Sequence, residues 1–384
     1  MSGGGKLLDA ARALRPRILA ERERIEAGRR LPEELTHELA RQGFFRIFLP
    51  KAYGGLDLAP TEGLEVLEEL ARADASVAWC VWNGNTHWIV AQLSPKGVKE
   101  VHGDIDVVTA NSTRASGQAE AVAGGFRVNG RWSLVSGCEL GTWMVLLCVV
   151  HDGGKPRLAA SGAPETRFVL LPASACQIVD TWTVGGLRGT GSHDVAVRDQ
   201  FVPASHAAGF SDPYVLPEPR YRMPPFCRVI PGLGAMTLGI ARTAIASLTD
   251  LAVDKQLQRS QQILRENHGA QIRVAEAEAL VRSARLYLYE SVKRLWRTLL
   301  ETGMAPIEMR ADARMAAWHA VFSSAKAVDL MYSAAGATAL YTSSPLERAF
   351  RDVHAITQHI GVHSRVMESA GRVMFGLEPD TPLL

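Results

Sequence analysis

The sequence predicts an α+β protein of three successive parts: an N-terminal α-helical domain, a central β-barrel or β-sandwich domain, and a C-terminal four-helix bundle. Three observations carry this. Apolar residues recur at helical spacing before residue 103, and short β-branched runs punctuated by turns fill the middle third. Beyond that, one apolar stripe runs for about six helical turns from Ala277 to Leu299. The predicted boundaries are 1–103, 104–211 and 212–384.

In the first part, Leu64, Leu67, Leu70 and Ala71 share a helical face, while Glu65, Glu68 and Glu69 fall on others. "LPKAYGG" (49–55) is a break, because Pro and a Gly pair punctuate it. The middle part reads as strands in "DVVTANS", "GGFRVNGRWSLVSG", "WMVLLCVV", "RFVLLP" and "HDVAVRDQFVP". Within the second of these, Asn129-Gly130 predicts a hairpin turn, since both residues tolerate the positive φ of type I′. "DPYVLPEPRYRMPP" (212–225) is a Pro-rich linker into the helices. There Ala277, Leu280, Val281, Ala284, Tyr287, Leu288, Val292, Leu295 and Leu299 form the stripe, and "ETGMAP" (301–306) breaks it. Ser344-Pro345-Leu346-Glu347 predicts a helix start, with Ser as N-cap, Pro at the first position and Glu closing a capping box.

Composition narrows the function. The chain has 384 residues, 47% hydrophobic and 21% charged, which is ordinary globular usage. Forty-two Lys and Arg against 40 Asp and Glu give a net charge of +2, so neither nucleic acid nor an anionic membrane is an expected partner. Cys80, Cys138, Cys148, Cys176 and Cys227 form no C-x-x-C pair and read as reduced thiols of a cytoplasmic protein. Met1 to Lys6 does not read as a secretory signal, and no run is expected to span a bilayer, which takes ~18–20 apolar residues. His359 and His363 are one turn apart, but Ile360 stands where a zinc motif would have Glu, so no metal site is expected. No G-x-G-x-x-G follows a strand to bind a nicotinamide.

Seven stretches in order then carry a resemblance: "FLPKAYGG" (48–55), "LEELARADASVAW" (67–79), "VNGRWSLVSG" (128–137), "GGLRGTGSHDVAVRDQFVP" (185–203), "LGIAR" (238–242), "RENHGAQI" (265–272) and "SPLERAFRD" (344–352). Over nearly its whole length the chain resembles the acyl-CoA dehydrogenase superfamily. In the dehydrogenases, the segment after "RD" carries a Glu that takes the α-proton of an acyl thioester. Counting from Arg351-Asp352, that position is Ile360, which cannot accept a proton. His359 precedes it, where the flavin-dependent two-component monooxygenase branch has a histidine over the flavin. Dibenzothiophene monooxygenase and the oxygenase of 4-hydroxyphenylacetate hydroxylase belong to that branch.

The resemblance implies further roles. Ser136 matches a hydroxyl at the flavin N5 edge, Asn111 an isoalloxazine-contacting Asn, Trp182 a pocket-lining Trp, and His87 a substrate-side histidine. Arg265 matches an Arg that reaches the flavin phosphate of a neighbouring subunit, with His268 where the motif has Phe. Gly336, within Ala335-Gly336-Ala337, is what stands for the Gly-Gly-x-Gly turn that helps hold FAD. The implied protein is a homotetramer binding exchangeable reduced FMN or FAD, delivered by a separate flavin reductase. With O₂ as co-substrate it would hydroxylate a small aromatic or amine through a C4a-hydroperoxyflavin. Ser136 and His359 would hold that adduct in a dry pocket, with His87 assisting the substrate. Two rivals are a dehydrogenase whose base is displaced, for instance to Glu308 or Glu368, and a non-catalytic flavin-binding protein.

Overall fold

A computed structural model describes residues 3–85, 89–257, 261–381 and 384. The helices α1 (Gly3–Ala20), α2 (Arg22–Gly28), α3 (Glu33–Arg41), α4 (Pro60–Ala73), α5 (Ala75–Gly84) and α6 (Pro95–His102) come first. Next come the strands β1 (Thr109–Val122), β2 (Gly125–Val135), β3 (Trp143–Asp152), β4 (Lys155–Pro156), β5 (Thr166–Pro172), β6 (Gln177–Val179), β7 (His193–Pro203) and β8 (Ala207–Ala208). The chain closes with α7 (Pro225–Val229), α8 (Pro231–Asp254), α9 (His268–Thr302), α10 (Ile307–Ala335), α11 (Pro345–Thr357) and α12 (Arg365–Met374).

The helices at the two ends of the chain share one core. Leu67 and Leu70 of α4 join Leu233 and Leu238 of α8, Val281 and Leu288 of α9, Val321 and Val328 of α10, and Val353 and Ile356 of α11. The α9 stripe is buried at Ala277, Val281, Ala284, Leu288, Val292, Leu295 and Leu299 and half-buried at Leu280 and Tyr287, and Gly303 at φ +73 ends the helix within "ETGMAP". Gly239 lets α8 lie against α4, since a Cβ there would sit 2.3 Å from the Glu68 carbonyl oxygen. Residues Pro225–Asp254 correct one expectation, because that stretch has the length and hydropathy of a membrane span. It is apolar because Leu233, Met236, Leu238 and Ala241 are interior on a core helix.

The central domain is one mixed sheet in the order β6-β7-β2-β1-β3-β5-β8, with β4 paired to β3. β1 and β3 are parallel and the other pairings are antiparallel. The sheet curls so that Val128 and Trp132 of β2 and Val195 of β7 share a core with Leu146 of β3 and Val169 of β5. The opposite faces of β3 and β5, through Val145 and Phe168, bury Val98 and Val101 of α6. A strand covered on both sides has no polar alternation, which is why "WMVLLCVV" reads as an unbroken apolar run.

Two local expectations fail. Asn129-Gly130 is not a turn but lies inside β2, paired with Gln118 and Gly117 of β1, and the β1–β2 connection falls at Ala123-Gly124 with Gly124 at φ +81. Gly130 is needed for space, because a Cβ there would meet the Gly117 Cα at 2.6 Å and the Trp132 ring at 2.8 Å. Asn129 sits where the β2–β7 register shifts and accepts from the Asp199 N–H at 2.8 Å. At α11, Ser344 does cap, accepting from the Leu346 N–H at 3.3 Å. Glu347 does not close the box; it chelates Arg351 one turn on, at 2.6 and 2.9 Å.

Candidate functional site

Helix α5 organises the site. Asp74 caps it, accepting from the N–H groups of Ser76 and Val77 at 2.9 and 3.1 Å. One and a third turns later, Trp79, Trp82 and Asn83 share a face by their i, i+3, i+4 spacing. The Trp79 indole N–H donates to Ser136 Oγ at 2.9 Å, and the Asn83 amide donates to the Ser136 carbonyl at 2.8 Å. Asn111 pairs with Ser136 across a β-bridge and gives both amide protons to Asn83, at 2.7 and 2.9 Å. Asn111 Oδ1 is therefore the acceptor this residue has left.

His359 meets this group from the other end of the chain. Its ring stands edge-on to Trp79 and Trp82, with centroids 5.8 and 5.6 Å away. Its Nδ1 accepts from the Gly361 N–H at 3.0 Å, which puts the proton of the neutral ring on Nε2. The Gly361 carbonyl in turn accepts from Arg314 at 2.9 Å. Burial, then the Arg314 charge, push the His359 pKa down to about 4. Because the unfolded chain takes up this proton more readily, the group makes stability rise with pH between about 4 and its ordinary 6.5. An imidazole ¹⁵N titration of the free protein should find a midpoint near pH 4 with Nε2 protonated; a midpoint at 6.5 would mean the ring is solvated. Ile360, where the dehydrogenase base would stand, is 59% exposed.

A strained loop completes the site. Leu187 has φ +52, donates its N–H to Asp352 Oδ1 at 2.6 Å, and accepts at its carbonyl from the Trp182 indole at 3.1 Å and Thr190 Oγ1 at 2.9 Å. Thr190 Oγ1 contacts Ser192 Oγ at 2.7 Å, and Ser192 Oγ contacts Ser136 Oγ at 2.7 Å. Burial pushes the Asp352 pKa up to about 6, against the opposing pull of Arg348.

Ser136, Asn111, Trp182 and His359 are thus linked through shared partners. Arg265 and Gly336 are elsewhere, at the α8–α9 connection and the end of α10. Lys255 joins these two regions: its ammonium donates to the Ala335 carbonyl and to Thr338 Oγ1 at 2.6 Å, and its carbonyl accepts from the Leu264 N–H at 2.8 Å. Arg265 is exposed and forms no ion pair with a described residue, so its guanidinium is available to a phosphate. His87 lies outside the described residues. His354 is held away by Asp329 at 2.8 Å, and Trp132 is a core residue whose indole donates to the Leu147 carbonyl at 2.7 Å.

Glu308 and Glu368 are both exposed, and neither contacts the His359 group among the described residues, so no displaced base is seen there. The residues that sequence reading missed are Trp79, Trp82, Asn83, Thr190, Ser192 and Arg314. The spacing of "WCVWN" was a usable signal for the first three. Nothing local marks Arg314.

Acceptor oxygens and a neutral imidazole set against two indoles fit a flavin ring, and an exposed arginine with no ion-pair partner among the described residues suits its phosphate. Comparisons with known proteins agree. Residues 6–101 match the acyl-CoA dehydrogenase N-terminal domain and residues 231–364 its C-terminal domain. The indole-3-acetate monooxygenase of Pseudomonas putida is 32% identical, over 91% of this chain and 89% of that protein. The oxygenase component of the FADH(2)-dependent resorcinol hydroxylase of Rhizobium sp. is 31% identical, over 92% and 90%. The crystal structure of 3-HSA hydroxylase from Rhodococcus sp. RHA1 superposes with a TM-score of 0.90, at 28% identity over 99% of each chain.

Proposed function

We propose a division of labour among the residues of this chain, which belongs to the acyl-CoA dehydrogenase family and is the oxygenase component of a flavin-dependent monooxygenase. Reduced flavin, when bound, supplies the electrons that activate O₂, and one oxygen atom passes to the substrate. Ser136 and Asn111 meet the flavin ring, Trp182 borders it, and His359 donates from Nε2 to the oxygen being transferred. The observation that carries this is Trp79, which holds Ser136 by its N–H and meets the His359 ring in a T-shaped contact. His359 acts as a donor rather than a base, because Nδ1 is already occupied by the Gly361 N–H. The indoles and the closely packed Gly361, whose Cβ would strike Ile230 at 2.3 Å, exclude water that would release peroxide.

The substrate is a small aromatic or amine bound against Trp79 and Trp82. A separate reductase supplies the reduced flavin. The test feeds chemically reduced FMN or FAD and oxygen to the protein with phenols, indoles and aryl amines. One class should gain a single oxygen atom at the expense of hydrogen peroxide. Full recovery of oxygen as peroxide across the panel would overturn the substrate assignment.

The expected assembly is a tetramer, as the family resemblance implies: among the described residues Arg265 has no contact with the Ser136 group of its own chain, so it would serve the site of a neighbouring copy. Exposed apolar side chains such as Phe375 (85%) and Met374 (70%) are what a second copy would cover. Light scattering should give about four times 41.7 kDa. Arg265→Ala should loosen flavin without changing that mass. An active monomer would sink the shared site.

A further inference from the structure

We propose that Ser192 and Thr190 are positioning residues that set which redox state of flavin the protein accepts, acting through Ser136. This rests on the assignment of Ser136 to the flavin N5 edge, and goes beyond it by fixing the direction of every proton in the chain of hydroxyls. The direction follows from a count. A hydroxyl has one proton and two acceptor lobes. The Leu187 carbonyl can only accept; it takes the Thr190 and Trp182 N–H groups at 3.1 Å each, and Thr190 Oγ1, the nearest of its three donors at 2.9 Å, gives its proton there. Ser192, 2.7 Å from Thr190, must then be the donor in that contact. Its proton spent, Ser192 can only accept from Ser136, also 2.7 Å away. Trp79 donates to Ser136 from the other side at 2.9 Å. Protons therefore run one way, from Trp79 to Ser136, Ser192, Thr190 and Leu187.

The end point is rigid. The Leu187 N–H is held by Asp352 at 2.6 Å, and all three hydroxyl residues are buried. Ser136 Oγ consequently has no proton for a ligand and a single open acceptor lobe. Reduced flavin carries a proton on N5 and satisfies that lobe. Oxidised flavin presents a bare N5 lone pair, and two acceptors then face each other in a buried site, where an unmade bond is costly. The chain of hydroxyls favours the reduced cofactor before any oxygen arrives.

The test compares dissociation constants for FAD and for dithionite-reduced FAD under anaerobic conditions, together with the midpoint potential of the bound flavin. Ser192→Ala frees the Ser136 proton to turn toward N5. It should narrow the reduced-over-oxidised preference ~10-fold, mainly by tightening oxidised FAD. The bound potential should drop by ~30 mV, as a tenfold change requires for two electrons. Ser192→Thr keeps a hydroxyl and should keep the wild-type ratio. Thr190→Val, which lets Ser192 reverse, should shift the ratio in the same direction and serves if Ser192→Ala does not fold. An unchanged ratio and potential in a folded Ser192→Ala protein, with Ser136→Ala still weakening reduced FAD, overturns the proton direction alone. If Ser136→Ala alters neither affinity, the N5 assignment itself fails, and the proposal with it.

Discussion

Replacing His359 with alanine is expected to uncouple the reaction while leaving flavin binding near wild type. The ring offers one fixed donor, Nε2–H, in a pocket walled by Trp79 and Trp82. Removing one preorganised donor costs ~3–4 kcal/mol in the state it stabilises, a factor of 10²–10³. Product formed per O₂ consumed should fall and hydrogen peroxide rise, measured for wild type and variant side by side. Reduced-flavin affinity should hold, because the phosphate is assigned to Arg265 rather than to His359. Ile360→Glu should not restore acyl-CoA oxidation, since that side chain starts from an exposed position. Equal coupling in wild type and His359→Ala would remove His359 from the mechanism.

Arg348→Met is expected to be the most destabilising single change at the site. Arg348 donates to Asp74 at 2.6 Å and to the Arg22 carbonyl at 2.8 Å, and its Nε is 3.7 Å from Asp352. It thereby ties the cap of α5 to α11 and to the carboxylate that holds Leu187. Methionine fills the volume but leaves two buried carboxylates facing each other. Removing one partner of such a group costs ~3–5 kcal/mol, which denaturant titration at pH 8 should register. The sign of the pH effect is fixed by Asp352. Its folded pKa is raised to about 6, so its charge is the penalised form and protonation relieves the strain. Losing Arg348 raises that pKa further, so the gap between variant and wild type should shrink as pH falls from 8 towards 6, and adding Asp352→Asn should recover part of it at pH 8. A gap that does not change with pH would show that lost packing, not uncompensated charge, is the cause.

Much of the architecture was legible. The α9 stripe, the Gly303 break, the Ser344 cap and the strand runs each depend on residues within a turn or two of one another. Local chemistry misled where a distant residue outbid it. Asn129-Gly130 has the composition of a hairpin turn, but Trp132 and Gly117 needed the space a glycine leaves, so the pair became part of a strand. Glu347 has the spacing of a capping box, but a bidentate arginine was the stronger partner. The hydropathy of Pro225–Asp254 said only that the segment avoids water, and burial among α4, α9, α10 and α11 decided how.

For the site, the sequence by itself determined the family, the residue types and the loss of the carboxylate at Ile360. The tertiary structure decided which groups meet and in what protonation. Trp79 and Ser136 are 57 residues apart, and His359 lies beyond both domains that contain them. "GTGS" could be read as a motif, but its hydroxyls acquire a direction only when Leu187 offers a carbonyl at one end and Trp79 an N–H at the other. His359 could be read as an imidazole, but its tautomer is set by the Gly361 peptide and its pKa by burial beside Arg314. Periodicity is written along the chain because each residue's neighbours on a helix or strand are fixed by count. Hydrogen-bond polarity and proton affinity are properties of an environment, and that environment exists only once segments from all three parts have closed around it.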